Sequence, residues 1–451
     1  MKLLLITASS RKIKRIRKSR VIGFQQLTMP YIAALTPSHW QIEHIDEAVE
    51  EIDFDKDVNL VGITFHTPSA AHAYDIAAQF RIRGVLVVLG GPHVTLMPED
   101  AANHADVIFV GEAEQIWPQF IKEFEQGKCK NYYELAEPPT LDNIPSPKKD
   151  LFHRRDHANG IVCATRGCPN KCEFCTISVM YKNSFRKRPL QQVAAEYGSY
   201  KGKIIIFWDD NISADLNYAK DLFKAITPYR KWWSCQASVQ AGVDEEFLEL
   251  AAKSGCKQLF LGFESISQIS LNRANKGFNR VEEYFEIIQR IHSYGIAVQA
   301  GVVFGFDDDD ETIFEDTISF LEEAGVQNAT FNILTPYPGT PLFKRLDREG
   351  RILTYDWSKY NARTDVVYVP KKMSCHELLD GFNWANRRFY SMRSIAKRLA
   401  KSPTGLWWTL PLNLMYSASL KLYGYHTIEQ ESDDDGAKGG VLVKSVCINH
   451  R

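Results

Sequence analysis

The sequence has no excess of either charge: 54 Lys and Arg stand against 55 Asp and Glu, a formal net charge of -1 over 451 residues. That balance excludes a chain that grips nucleic acid along its whole surface, and no nucleic-acid partner is expected. A membrane span needs about 20 consecutive apolar residues; the run from Leu406 to Met415 is broken by Pro411 and Asn413 and falls short. No secretory signal is visible, because Met1-Lys2 leads straight into the strand-like Leu3 to Thr7, which implies a reducing, cytoplasmic location. No repeat of solenoid period is present. Hydrophobic residues at 45% and charged residues at 24% exclude a polytopic membrane protein and a wholly disordered chain, and the length implies two or three domains.

The chain also lacks the even cysteine count of a full disulfide framework. Of its nine cysteines, Cys129, Cys235, Cys256, Cys375 and Cys447 are scattered, whereas Cys163, Cys168, Cys172 and Cys175 fall within thirteen residues. Without an export signal, such crowding points to metal.

What is present is alternation. Apolar strand-like runs at Leu3 to Thr7, Trp40 to Ile45, Val58 to Thr67, Val85 to Leu89 and Asp106 to Val110 are spaced by helical patterns such as Ala70 to Phe80 and Glu114 to Phe124. This predicts a doubly wound, Rossmann-like α/β domain over 1–135 with ligands beyond the carboxyl ends of its strands. There stand Thr64, then the turn Gly90-Gly91-Pro92-His93-Val94-Thr95, then Gly111-Glu112. A Pro- and Lys-rich linker is expected over 136–158. Six further β/α units, with strands at Ile161–Ala164, Ile204–Trp208, Trp233–Ser238, Gln258–Phe263, Val298–Phe304 and Thr330–Leu334, predict a partial (β/α)6 barrel over 159–345. A helical region, 346–427, and a disordered tail, 428–451, complete the expectation.

The chemistry is concentrated in Cys168-Pro169-Asn170-Lys171-Cys172-Glu173-Phe174-Cys175, a C-x3-C-x2-C loop just after a strand. Three thiolates can hold three irons of a cubane and leave the fourth open to a ligand. A zinc knuckle wants a fourth ligand, and the only near candidate, Cys163, lies inside the strand. The acidic run Asp307 to Glu311 reads as a solvated loop and helix start, and Asn211 or Ser213 as an N-cap.

This loop, with its aromatic Phe174, resembles the radical SAM superfamily. The resemblance implies a [4Fe–4S] cluster on Cys168, Cys172 and Cys175, chelation of the open iron by S-adenosylmethionine (SAM), and reductive cleavage to a 5′-deoxyadenosyl radical. By position it assigns SAM contacts to Asp209 or Asp210 after the second barrel strand, Gln236 and Ser238 after the third, Glu264 (ribose) after the fourth, Gly301 and Gly305 (adenine) on the fifth, and Asn332 on the sixth. It also implies an electron donor such as flavodoxin or ferredoxin.

The N-terminal part resembles the cobalamin-binding domain joined to many radical SAM proteins, on the Gly-Gly-x-His-x-Thr and Gly-Glu-x-Glu turns. That implies corrinoid contacts from Thr64, Gly90, Gly91, His93, Thr95, Gly111 and Glu112, and a methyltransferase acting on an unactivated carbon of a lipid or other hydrophobic small molecule. The alternative is a cobalamin-independent radical SAM enzyme performing C–C coupling, cyclisation or oxidation. Two departures stand out. The Asp-x-His-x-x-Gly motif of an axial His is absent, a basic loop from Arg11 to Arg20 taking its place, and Ala113 replaces a usual glycine. His66 and His93 are expected to brace turns or the core rather than to act as axial ligands. The basic and Trp-rich C-terminal stretch resembles an interfacial membrane anchor, with a barrel-capping core helix as the alternative.

Overall fold

The computed structural model describes residues 1–9, 27–142, 144–152, 159–402 and 404–423. The basic loop 11–20, part of the linker and the tail 428–451 lie outside the described residues.

Two parallel sheets organise the molecule. The first contains β1 (Lys2–Thr7), β2 (Gln41–Asp46), β3 (Leu60–Thr64), β4 (Leu86–Gly90), β5 (Val107–Val110) and β6 (Tyr132–Glu134), in the order β2-β1-β3-β4-β5-β6. Its strands are apolar on both faces because both are covered. Leu4, Ile6, Val61 and Ile63 pack with the helix Ala70–Ile82, while Leu3, Leu5, Leu60 and Phe109 pack with Thr28–Leu35 and Trp117–Glu125. The order reverses between β1 and β3, so the ligand crevice of such a sheet opens at their carboxyl ends.

The second sheet holds β7 (Asn159–Val162), β10 (Ile204–Phe207), β11 (Trp232–Ala237), β12 (Cys256–Glu264), β13 (Ala297–Phe304) and β14 (Asn328–Ile333), in the order β14-β13-β12-β11-β10-β7. Between β7 and β10 a small antiparallel hairpin, β8 (Thr165–Gly167) with β9 (Phe185–Lys187), carries the cysteine loop. The six strands form an open half-barrel, since β7 and β14 have no partner on their outer sides among the described residues. Alternation sets its two faces. Trp233, Cys235 and Ala237 are buried under the helices, whereas Trp232 and Gln236 face the hollow and are exposed.

Every barrel strand expected from the sequence is present; β6, β8 and β9 were not foreseen. Leu141 and Ile144 of the expected linker pack on Tyr31. The predicted helical stretch after Glu377 is two helices, Cys375–Phe389 and Met392–Lys401, separated where Ser391 caps the second by accepting from Ser394 N. A last helix, Leu406–Tyr423, follows. Among the described residues no helix is long and apolar enough to cross a membrane.

Candidate functional site

The cysteine loop starts at Gly167, whose φ of +83° and closeness to Ser184, where an added Cβ would lie 2.0 Å from the carbonyl oxygen, admit no other residue. The loop is gripped from three sides. Glu173 N donates to Ala274 O (3.0 Å), Asn275 Nδ2 to Lys171 O (2.7 Å), and Leu342 N to Glu173 O (3.0 Å). Phe174 meets Phe306 edge-on at 5.9 Å. The loop therefore rests on the turns after β12 and β14, at the carboxyl end of the half-barrel.

Cys172 is buried, and Cys168 and Cys175 are partly so. Burial pushes the Cys172 thiol up to about 12, the ammonium of Lys276 working against that rise. Lys276 had no place in the sequence reading. Its Nζ lies 2.6 Å from Glu264 Oε1; burial works against its charge, and the Glu264 carboxylate holds it. Glu264 itself sits at φ +63°, a left-handed conformation that a non-glycine residue adopts only under constraint. Beside them Asn211 Nδ2 lies 3.7 Å from Cys168 Sγ, its Oδ1 accepting from Ser238 N and Ser213 Oγ. Among the described residues no three His, Cys, Asp or Glu side chains are placed for a single metal ion. A cubane, whose cysteines each bind a different iron, takes a wider donor set, and a nearby buried ammonium suits an anionic thiolate cluster.

The two aspartates after β10 separate. Asp209 is fully buried and accepts from the N–H groups of Ala164 and Thr165 and from Thr165 Oγ1, so it fixes the turn into the hairpin; burial pushes it up to about 7. Asp210 accepts from Gly167 N (2.9 Å), one residue from Cys168. Asn211 stands at the N-cap of the short 3-10 turn Ile212–Ala214 without a side-chain cap bond, and the N-cap of the next α-helix is Asp215. Gln236 is exposed on the hollow face and Asn332 half-buried. The room left by Gly301 and Gly305 is filled from within the chain. An added Cβ would lie 2.9 Å from Phe260 at Gly301, and 2.4 Å from the Tyr368 hydroxyl at Gly305. The acidic run divides: Asp310 and Glu311 are exposed and lead into the helix Thr312–Glu323 as expected, whereas Asp307 pairs with Arg345, Arg351 and Lys371, and Asp309 accepts from Ser270, Gly305 N and Phe306 N.

In the first sheet Gly91 is obligatory, with φ +99° and Thr64 Oγ1 2.3 Å from where a Cβ would stand. Thr95 Oγ1 donates to Gly91 O (3.0 Å) and accepts from Gly111 N (3.0 Å), tying the turns after β4 and β5 together. An added Cβ at Gly90 would make only ordinary contact with Phe109, at 3.6 Å. His93 is fully buried, its ring nitrogens at 3.2 Å from Thr67 Oγ1 and from Asp100 Oδ2. Its imidazole braces the turn; His66 is exposed. Glu112 ties the two sheets together. Its carboxylate binds Arg166 and Arg186, both at 2.6 Å, while Glu114 takes the other arm of Arg166 at 2.5 Å. Ala113 has no positive φ, so replacing the usual glycine costs nothing there. Open features remain for a group at this edge. Among the described residues, Ser9 Oγ, just beyond β1 at the switch point, is buried without a hydrogen-bond partner, and an added Cβ at Gly111 would meet nothing within 4 Å.

Three thiols at the mouth of an open parallel half-barrel, ion-paired to a flavodoxin-ordered sheet, define a radical SAM architecture with a B12-type domain. Family models agree: the Radical SAM superfamily matches residues 162–321, the B12 binding domain 26–121, and a domain of unknown function 340–406. The chain is 30% identical over 396 residues to the bacteriochlorophyllide d C-12(1)-methyltransferase of Chlorobaculum tepidum, covering 85% of this chain and 86% of that one. To the C-8(2)-methyltransferase of the same organism it is 30% identical over 356 residues, 74% and 79% of the two chains. Its fold is that of the cobalamin-dependent SAM radical enzyme OxsB, with a TM-score of 0.67 at 13% identity over 94% of this chain and 72% of that one. The chain belongs to the radical SAM methyltransferases that carry a B12 binding domain.

Proposed function

We propose that this enzyme transfers a methyl group to an unactivated carbon of a hydrophobic small molecule, using SAM, a [4Fe–4S] cluster on Cys168, Cys172 and Cys175, and cobalamin on the edge formed by Ser9, Thr64, Gly91, Thr95 and Gly111. One observation carries the reading. The carboxyl ends of the two sheets are joined through Arg166, Arg186, Glu112 and Glu114, which supports a group on one sheet acting together with a group on the other. When bound, the cluster supplies the electron for SAM cleavage and the corrinoid supplies the methyl group.

The chain's own residues do the holding. Lys276 offers a cation, and Glu264 an acceptor, to the polar parts of SAM. Asn211 and Asp210 fix the cluster loop, and Gln236 and Asn332 present polar groups from the hollow face. Trp208 follows β10 at the mouth of the hollow and is 52% exposed, a broad apolar surface that suits a hydrophobic substrate. The relatives named for bacteriochlorophyllide methylation support a large, flat, apolar substrate. A flavodoxin- or ferredoxin-type protein is the electron source, in the cytoplasm.

Anaerobic turnover of the reconstituted enzyme tests this. The expected products are S-adenosylhomocysteine and 5′-deoxyadenosine together. 5′-Deoxyadenosine alone, from protein that retains no corrinoid on desalting, would instead establish the cobalamin-independent reading.

A further inference from the structure

The helix Leu406–Tyr423 is inside out. Thr409 and Asn413 are fully buried and Ser417 nearly so, a polar stripe at four-residue spacing. Asn413 Nδ2 donates to Gln327 O (3.0 Å) and Thr409 O (2.8 Å), while its Oδ1 accepts from the buried Arg398 (3.0 Å). These contacts seat the helix at the amino end of β14, the end of the half-barrel opposite the cysteine loop. The other face turns outward, with Trp407 at 64% exposure and Leu410 and Leu414 near 40%. A helix on a globular protein ordinarily buries its apolar side and exposes its polar one.

The outward face is continuous with the floor of the half-barrel. The Trp407 ring lies 5.0 Å from that of Trp232, the first residue of β11, which pairs in register with Ile204. Trp232, Ile204 and Tyr229 are all exposed. Around this apolar surface stand Lys201, Lys203 and Arg230, exposed and with no acidic partner among the described residues.

We propose that this face docks on an anionic membrane surface, with the helix lying in the interface plane. Exposed tryptophan and tyrosine beside leucine suit the boundary between headgroups and acyl chains, and unpaired cations suit anionic headgroups. A second copy of the chain fits less well, because a two-fold contact would bring these cations against their own symmetry mates. The cysteine loop, at the other end of the strands, stays clear of the bilayer. The inference does not depend on which substrate is methylated.

Sedimentation of the full chain with phosphatidylcholine vesicles, with and without phosphatidylglycerol, tests it. The protein should pellet with the anionic vesicles and be released by salt. Trp407→Glu with Leu410→Glu should weaken binding at least about tenfold, as should Lys203→Glu with Arg230→Glu, which leaves the helix untouched. Absence of vesicle binding, equal binding to neutral vesicles, or full binding by either folded variant would overturn the proposal. So would a dimer, seen by light scattering, that Trp407→Glu splits, because a second copy would then own the face.

Discussion

Arg166 Nη1 donates to Glu112 Oε1 across 2.6 Å, and this pair joins the loop of the three cysteines to the end of β5 in the other sheet. Both side chains are largely buried, at 14% and 9% exposure, and Glu114 leans on the same guanidinium. Arg166 stands two residues before Cys168, so whatever fixes it also fixes where the loop begins.

Breaking that clamp strips Glu114 of its ion-pair partner and leaves Glu112 with Arg186 alone, an effect worth about 3–5 kcal/mol when one partner of a buried pair is removed. Arg166→Ala should lower stability by that order in urea denaturation. Arg166→Lys should recover only part, because an ammonium cannot reach two carboxylates as a planar fork does. A loss below about 1 kcal/mol would mean the pairs behave like screened surface pairs.

Cys172→Ala should abolish the visible absorption of the reconstituted cluster and SAM cleavage together. Cys163→Ala is the control. Its thiol donates to Trp208 O at 3.4 Å, in the protein rather than in the loop, so iron should stay at about four per chain. Iron lost equally in both variants would place Cys163 among the ligands.

Gly91 and Gly111 both have positive φ, at +99° and +79°, but only Gly91 is crowded. Gly111→Ala should cost about 1–2 kcal/mol, the strain of a left-handed residue. Gly91→Ala adds a clash with Thr64 Oγ1 and with the Phe65 backbone, and should cost clearly more. Equal melting temperatures for the two variants would contradict this.

Lys276 and Glu264 form a pair that is buried beside the thiols, at 12% and 15% exposure. Lys276→Met and Glu264→Gln should each weaken SAM binding at least about tenfold, since each strands its partner's charge. Equilibrium dialysis of cluster-loaded protein reads this directly, with iron content as the check on the loop. Binding at the wild-type level in Glu264→Gln would remove Glu264 from the SAM site.

His292 is held neutral: burial lowers it from 6.5 to about 4, and Gln327 Oε1, at 3.1 Å, opposes the shift only weakly. The unfolded chain therefore binds the proton first as pH falls. Stability referable to this group is complete above about pH 6.5 and is lost towards pH 4, by on the order of 3 kcal/mol. His292→Gln should remove that slope. Urea midpoints of both proteins across this range, subtracted pairwise, isolate it; a difference that stays flat would show that the ring titrates normally.

The strands were legible because parallel strands covered on both faces are continuous apolar runs, as in Leu60–Thr64, and because Gly and Asp mark where they end. The cysteine loop was legible from spacing alone. What sequence could not give were partners brought from afar. Arg166 meets Glu112 from 54 residues away and Lys276 meets Glu264 across a left-handed turn, and neither cation lies in a motif. The same blindness made Asp307 look solvated, since Arg345 and Arg351 arrive only through the fold. β8 and β9 were missed because three-residue strands carry no period to read.

The polar grip of the last helix makes its register unforgiving. One residue inserted after Gly405 would rotate the helix by about 100°, swinging Asn413 away from Gln327 and Arg398. Leucine would then be forced against unsatisfied carbonyls, and Thr409 and Ser417 would turn towards the solvent. Length variation in this part of the chain is therefore tolerable only in steps of about a whole turn, three or four residues at a time.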